Sequence, residues 1–276
     1  MKNFGVIGNP LDHSLSPTLH SSICEQINYN YDYKKFEVKS NMLEQFTKKN
    51  NLAGYNVTIP YKTTITKYLK KLDNPAMQIG AVNCVYNNIG FNTDWLGFKE
   101  SLFFNGIEVK KKRCLIFGAG GAAKAIAYAL KELSISNMLI LNRSSERGLR
   151  LVEWIKNNFN INTSFVEYDE SNLIEINAKV SEVDIIINCT PIGMWPNSNY
   201  FPELIFNQYQ TLIDLIYNPP LSAFMKLGNG NGAKTISGLD MFIFQGIASA
   251  EIWLNSKLNN YVDIHLIKSK IRKKLC

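Results

Sequence analysis

The run Cys114-Leu115-Ile116-Phe117-Gly118-Ala119-Gly120-Gly121-Ala122-Ala123 constrains this chain most, because it reads as strand, glycine turn and helix in immediate succession. The apolar start suits a buried strand, and the glycines let the backbone turn sharply. Ala122–Leu133 is then rich in helix formers and free of proline. Such a unit belongs in a sheet covered by helices. Gly118, Gly120 and Ala123 fall on G-x-G-x-x-G/A spacing, which permits a tight turn, close approach of backbone to a pyrophosphate, and close packing of helix on strand. The phosphates would then meet the positive helix N-terminus. A glycine turn also joins strands to helices where no ligand binds, so the context has to decide.

The surroundings repeat the pattern. Apolar runs at Phe4–Ile7, Phe36–Val38, Tyr55–Thr58, Cys114–Phe117, Met138–Leu141, Asp184–Asn188 and Leu212–Leu215 predict strands, and segments with helical spacing lie between and after them, Met241–Leu254 among these. Asn, Lys and Gly clusters at 48–51, 157–160 and 228–232 predict turns. With 276 residues, 46% hydrophobic and 19% charged, the expectation is an α/β protein of two domains. No apolar run approaches the roughly 20 residues of a membrane span and no signal-peptide core follows Met1, so a cytoplasmic location without a membrane partner is expected. The five cysteines form no C-x-x-C pair and the three histidines are scattered, which supports neither a disulfide framework nor a metal site. The net charge of +7 is spread along the chain without aromatic-interleaved basic motifs, so no nucleic-acid partner is expected. The basic tail of Lys268, Lys270, Arg272, Lys273 and Lys274 reads as a solvated helix face.

After the glycine turn, the strand Met138–Leu141 ends in Asn142-Arg143-Ser144-Ser145-Glu146-Arg147, where an NAD enzyme would place an acidic residue on the ribose. No carboxylate ends this strand. Arg143 and Arg147 can clamp a 2′-phosphate, with Asn142 and Ser144 adding hydrogen bonds, which favours NADP. Glu146 can instead pair with an arginine, and the segment also reads as an exposed helix start. Near the N-terminus, Asn9-Pro10-Leu11-Asp12-His13-Ser14-Leu15-Ser16-Pro17 sets two serines against a proline. With Ser16 as N-cap and Pro17 as first helical residue, this is either an anion seat suited to a carboxylate or an ordinary capped turn. Lys62 follows the strand that ends at Pro60, and Asp94 closes Asn92-Thr93-Asp94. A carboxylate beside a lysine makes an acid–base couple, but the same pair makes a surface salt bridge, and spacing does not choose between them.

The short segments in this order resemble shikimate dehydrogenase, from Phe4 to about Asn255. They are N-P-x-x-H-S-x-S-P at 9–17, N-V-T-x-P-x-K at 56–62, G-A-V-N at 80–83, N-T-D at 92–94, Gly118–Ala122, Asn142–Arg147, Asn188–Met194, Asp214–Pro219 and Gly238 through Gln245. The resemblance implies a substrate-binding and catalytic domain over 1–99 and 239–276, with a Rossmann-type NADP-binding domain inserted at 100–238. It implies that Ser14 and Ser16 hold the substrate carboxylate, and that Thr58, Asn83, Asp94, Tyr217 and Gln245 hold the ring hydroxyls or carboxylate. Lys62 becomes the acid–base residue, oriented by Asp94. Gly118, Ala119, Gly120, Gly121 and Ala122 are assigned to pyrophosphate, Asn142, Arg143, Ser144 and Arg147 to adenine ribose and 2′-phosphate, and Leu215, Gly238 and Met241 to the nicotinamide. Tyr217 and Met241 also read as packing residues. The implied reaction is reversible reduction of 3-dehydroshikimate to shikimate by NADPH, on the way to aromatic amino acids. An NAD-accepting quinate/shikimate dehydrogenase is the nearer alternative, and a dinucleotide sensor without catalysis the more distant one. Monomer and homodimer are both compatible with the sequence. Trp95 and Asn74 depart from the commoner family pattern.

Overall fold

The computed structural model describes residues 2–29, 31–196, 200–258 and 261–275, and Cys276 lies outside them. The chain divides into two compact units, one formed by Met1–Phe98 with Phe242–Lys274, the other built on Lys99–Met241. Both are α/β, as the alternation of short apolar runs and helical segments requires.

The first unit holds a six-stranded sheet of β1 (Asn3–Gly8), β2 (Asp32–Glu37), β3 (Gly54–Val57), β4 (Lys71–Leu72), β5 (Cys84–Tyr86) and β6 (Ile89–Phe91), in the order β2-β1-β3-β5-β6-β4. β1 lies parallel to β2 and β3, while β5 is antiparallel to both β3 and β6. The central strands β1 and β3 are buried on both faces, which is why they read as apolar runs. Around the sheet stand α1 (Ser16–Ile27), α2 (Leu43–Lys49) and α3 (Asn74–Ile79), and α4 (Asp94–Phe104) leads the chain out of the unit. One core gathers Ile7, Val38, Leu43, Tyr55, Val57 and Val82, and another gathers Phe4, Tyr31, Cys84 and Trp253.

The strand expected at Phe36–Val38 is instead Asp32–Glu37. It occupies the sheet edge, where charged side chains face water, so its apolar signal is confined to its end. The β5–β6 hairpin carried no apolar run of useful length. Its turn is set by Asn87 and Asn88, both at positive φ (50° and 60°), as a two-residue type I′ connection requires.

The second unit contains β7 (Arg113–Phe117), β8 (Asn137–Asn142), β9 (Asn162–Glu167), β10 (Ile185–Asn188), β11 (Thr211–Asp214) and β12 (Lys234–Ser237), in the order β12-β11-β10-β7-β8-β9. All its pairings are parallel. The chain winds outward from β7 to β9, then returns to β10 on the other side of β7, which creates a switch point between β7 and β10 at the carboxyl ends of the strands. Its helices are α5 (Gly121–Glu132), α6 (Ser145–Phe159), α7 (Leu173–Ser181) and α8 (Ala223–Gly230). Leu115, Phe117, Leu141, Ile186, Leu212 and Phe224 fill its core.

The turn expected at 228–232 begins later than its glycines suggest, because Gly228 and Gly230 belong to α8. A β-carbon at Gly228 would stand 2.6 Å from Leu212 Cδ2, so the glycine lets helix approach strand and does not mark a turn there.

α9 (Leu239–Leu254) starts in the second unit and carries the chain back into the first, where Trp253 stacks on Phe4 with ring centroids 4.8 Å apart. α10 (Ile264–Arg272) follows, and its basic face is only partly solvated. Lys270 ion-pairs with Glu25 of α1, and Lys274 Nζ donates to Thr18 Oγ1 at 3.1 Å.

Candidate active site

In the first unit the loop after β3 is pinned along its length. Thr58 N–H donates to Ile7 O (2.9 Å), Tyr61 N–H to Thr58 O (2.9 Å), and Val82 N–H to Lys62 O (2.7 Å). Tyr61 is buried as an anchor and its hydroxyl donates to Val38 O. Lys62 therefore leaves a fixed backbone. Asp94 opens α4, where Asn92 Oδ1 accepts its N–H at 3.0 Å and the helix N-terminus favours its carboxylate. Lys62 Nζ meets Asp94 Oδ2 at 2.7 Å, and Asn83 Nδ2 donates to Asp94 Oδ1 at 2.8 Å.

With side-chain exposures of 30% and 12%, this pair is not the solvated bridge that contributes little. Asn83 is itself oriented, because Thr93 N–H donates to its Oδ1 at 2.6 Å, which leaves the amide NH₂ for Asp94 and for Gln245 Oε1 at 3.3 Å. Lys62, Asn83, Asp94 and Gln245, drawn from a loop, a strand start and two helices, thus converge.

Ser14 and Ser16 also meet, with hydroxyl oxygens 3.3 Å apart, but not in the expected arrangement. Ser16 is the first residue of α1, Leu15 takes the cap position, and no side chain makes the N-cap hydrogen bond. Leu15 already has ψ near 4°, so the helix begins one residue early and Ser14 Oγ, not Ser16 Oγ, accepts a backbone N–H, that of Ser16 at 3.4 Å. Both hydroxyls remain half-buried at a helix start whose N–H groups lack a side-chain cap. On β2, the Tyr33 hydroxyl donates to Asn56 Oδ1 at 2.8 Å. Asn56 lies in N-V-T-x-P-x-K and Thr93 in N-T-D, but no spacing announces Tyr33 or Ser249, which hydrogen-bond Asn56.

In the second unit Gly118 has φ +110°, and a β-carbon there would stand 3.0 Å from Thr190 Cγ2 and 3.2 Å from Cys189 C. Gly120 and Gly121 differ, since a β-carbon on either meets nothing within 4 Å. Gly120 is the N-cap of α5, so no side chain caps the first N–H groups of that helix, and Ala123 is fully buried. The open space beside Gly120 and Gly121, at the start of α5, is where a pyrophosphate could approach without meeting a side chain.

At the end of β8, Asn142 Nδ2 donates to Ser144 O at 2.9 Å, and Ser144 caps α6 by accepting Arg147 N–H at 3.4 Å. The helix-start reading of this segment holds, with Arg143 and Arg147 exposed beside it. Glu146 is bound to Arg150 at 2.5 Å, and among the described residues no ion pair of it with Arg143 or Arg147 is formed.

At the ends of β10 and β11 a buried knot joins two loops. Asn188 Nδ2 donates to Asp214 Oδ1 (3.0 Å), Ile216 N–H donates to the same oxygen (3.0 Å), Ser222 Oγ donates to Asp214 Oδ2, and Thr190 N–H donates to Asn188 Oδ1 (3.0 Å). Burial pushes the Asp214 carboxyl up to about 6 against these hydrogen bonds. Leu215 and Gly238 touch through backbone, since a β-carbon on Gly238 would stand 2.1 Å from Leu215 O. Tyr217 belongs to this unit, its phenol pushed to about 12 by burial, and Met241 is half-buried at the start of α9.

Comparison with known proteins covers both units. The substrate binding domain of shikimate dehydrogenase matches residues 6–85, and the family described as shikimate / quinate 5-dehydrogenase matches residues 102–193. A shikimate dehydrogenase (NADP(+)) of Methanococcus maripaludis strain C6 is 37% identical over 281 residues, covering 98% of each chain. Among solved structures, a shikimate dehydrogenase in complex with NADP+ superposes with TM-score 0.88 at 34% identity, covering 100% of this chain and 96% of the other. The Thermus thermophilus shikimate 5-dehydrogenase in complex with NADP(H) and shikimate gives TM-score 0.83 at 27% identity over 100% of both chains. Full-length identity of this order, on a shared fold and with both domain families matched, means that the chain belongs to the shikimate dehydrogenase family.

Proposed function

We propose that this protein is an NADP-dependent shikimate dehydrogenase, reducing the C3 carbonyl of 3-dehydroshikimate to the hydroxyl of shikimate and running the reverse step with NADP+. The observation that carries the reading is the Lys62–Asp94 pair at 2.7 Å, flanked by Asn83 and Gln245. Lys62 Nζ donates a proton to the carbonyl oxygen as negative charge develops there, and in the reverse direction accepts the hydroxyl proton. Asp94 holds the Nζ in place and compensates its charge. Asn83 and Gln245 offer amide groups to ring hydroxyls, Thr58 adds a hydroxyl from the pinned loop, and Ser14 and Ser16 take the carboxylate at the start of α1. Tyr217 is assigned to the ring hydroxyls or the carboxylate.

The open space beside Gly120 and Gly121 and the uncapped start of α5 support dinucleotide binding by Gly118–Ala122. Arg143 and Arg147, exposed next to Asn142 and Ser144, suit a 2′-phosphate, and Glu146 is engaged by Arg150. Leu215, Gly238 and Met241 are assigned to the nicotinamide. NADPH, when bound, supplies the hydride. Residues 1–99 with 239–276 serve as the catalytic domain and 100–238 as the cofactor domain. A small-molecule substrate and a cytoplasmic location accompany this reading.

The test is absorbance of reduced nicotinamide on mixing the protein with shikimate or quinate, each paired with NADP+ or NAD+. Fast reduction only with shikimate and NADP+ is the expected result. Comparable rates with quinate or NAD+ would move the chain to the broader-specificity enzymes, and silence from folded, NADPH-binding protein would make it a sensor.

A further inference from the structure

The acid–base pair is the end of a longer buried chain of hydrogen bonds. Asn56 Nδ2 donates to Ser249 Oγ at 2.8 Å, Ser249 Oγ lies 3.2 Å from Thr93 Oγ1, and Thr93 Oγ1 lies 3.2 Å from Asn83 Oδ1. Asn83 Nδ2 then donates to Asp94 Oδ1. Along this path Asn56 is 7% exposed, Ser249 and Thr93 0%, Asn83 2% and Asp94 8%, so water does not replace a missing member.

The hydroxyls in the middle can point either way, since Ser249 also lies 3.0 Å from Gln245 O and Asn83 Nδ2 2.9 Å from Thr93 Oγ1. The ends choose the direction. The Asn56 amide nitrogen can only donate and the Asp94 carboxylate can only accept. Two arrangements then let each hydroxyl both receive and give, one running from Asn83 Nδ2 through Thr93 and Ser249 to Gln245 O and the other from Asn56 through Ser249, Thr93 and Asn83 to Asp94, and only the second ends on a negative charge. Its aligned dipoles reinforce one another toward the negative charge.

We propose that Ser249 is a positioning residue for the acid–base pair, its hydroxyl turning Thr93 toward Asn83 and so holding the Asn83 amide N–H on Asp94. The inference rests on the dehydrogenase reading of that pair. Lys62 is the charged group facing Asp94. The titratable groups around the other end stay in one form through the working range. Burial lifts the Tyr33 and Tyr31 phenols far above their ordinary range, raises the Cys84 thiol beside Ser249 to about 12, and lowers His20, stacked on Tyr33 at 4.0 Å, to about 3. A moved acid limb of activity is therefore not set by these groups.

The experiment is the pH profile of kcat/KM for shikimate oxidation by NADP+ in the full-length wild type, Ser249→Ala, Thr93→Val and Thr93→Ser. One lost hydrogen bond predicts a fall in kcat/KM of roughly three- to tenfold and an acid limb about half a pH unit higher in Ser249→Ala and Thr93→Val. The Kd for NADP+ should not change, and Thr93→Ser, which keeps the hydroxyl, should retain the wild-type limb. The double variant Ser249→Ala/Thr93→Val should be no worse than either single one, because both cut the same chain. Acid limbs that coincide with wild type in both Ser249→Ala and Thr93→Val would overturn the proposal, whatever the variants do to melting temperature. A wild-type chain inactive on shikimate would remove the dehydrogenase reading and this inference with it, whereas an active wild type with unmoved limbs removes Ser249 alone.

Discussion

At the scale of single residues, the first unit separates groups that do chemistry from groups that hold them. Lys62 is the proton donor of the proposed reaction, so Lys62→Ala should lower kcat by about 10²- to 10⁴-fold with the Kd for NADPH little changed. Steady-state rates and a fluorescence titration of NADPH check both halves, and near-normal turnover would take Lys62 out of the mechanism. His20 illustrates the holding groups. It is buried at 1% exposure, its Nδ1 lies 2.8 Å from Tyr31 OH, and burial lowers its pKa from 6.5 to about 3. The folded chain thus keeps the ring neutral while the unfolded chain protonates it near 6.5. Above pH 6.5 both states are neutral and the shift changes nothing, whereas stability falls by about 4–5 kcal/mol as pH drops from 6.5 toward 3. The stability gap between wild type and His20→Gln, from urea denaturation, should narrow by about 2–3 kcal/mol between pH 7 and pH 4.5. A gap constant over that interval would mean that His20 titrates normally in the native state.

At the scale of elements, the glycines of the β7–α5 turn divide into two kinds. Gly118 is required by the backbone, with φ +110° and close contacts to the Cys189–Thr190 loop. Gly118→Ala should therefore lower stability by about 1–3 kcal/mol, seen as a drop in melting temperature without any ligand. Gly120 has an ordinary extended backbone and open space beyond it. Gly120→Ala should leave the melting temperature of the free protein within about 2 °C of wild type yet weaken NADP+ binding roughly tenfold or more, because the new methyl occupies the pyrophosphate's approach. Calorimetric titration and a melting curve distinguish the two kinds. The sequence pattern identified this turn correctly, but it did not tell the glycine held by its neighbours from the one with open space beyond it. That distinction depends on what stands opposite each α-carbon.

At the scale of the whole molecule, the chain builds two units with separate cores and passes between them in α4 and α9. Separate cores predict that thermal unfolding departs from a two-state transition, with a calorimetric enthalpy larger than the van't Hoff value. NADP+ should raise the transition of the unit holding β7–β12 and shikimate that of the unit holding β1–β6, each by about 2.7 kcal/mol at a hundredfold excess over its Kd. Scanning calorimetry with each ligand tests this. Equal enthalpies and one common transition would mean that the units unfold together.

Local chemistry was legible in the sequence. The strand–glycine–helix run, the apolar strands β1, β3, β7, β8, β10 and β11, and the Lys62 and Asp94 candidates follow from periodicity, turn residues and short segments, which depend on near neighbours. The edge strands β2, β4, β9 and β12 were shifted or missed because an edge strand lacks the two-sided burial that makes a strand apolar. Only the tertiary structure decided that the Lys62–Asp94 pair is half-buried and braced. It also decided that Ser14, not Ser16, receives a backbone N–H at the start of α1. Asn83 meets Gln245 across 162 positions and Asn56 meets Ser249 across 193. Those contacts exist because Trp253 and its neighbours dock α9 onto the first sheet, and the free energy of that packing is a property of the assembled core that no local spacing records.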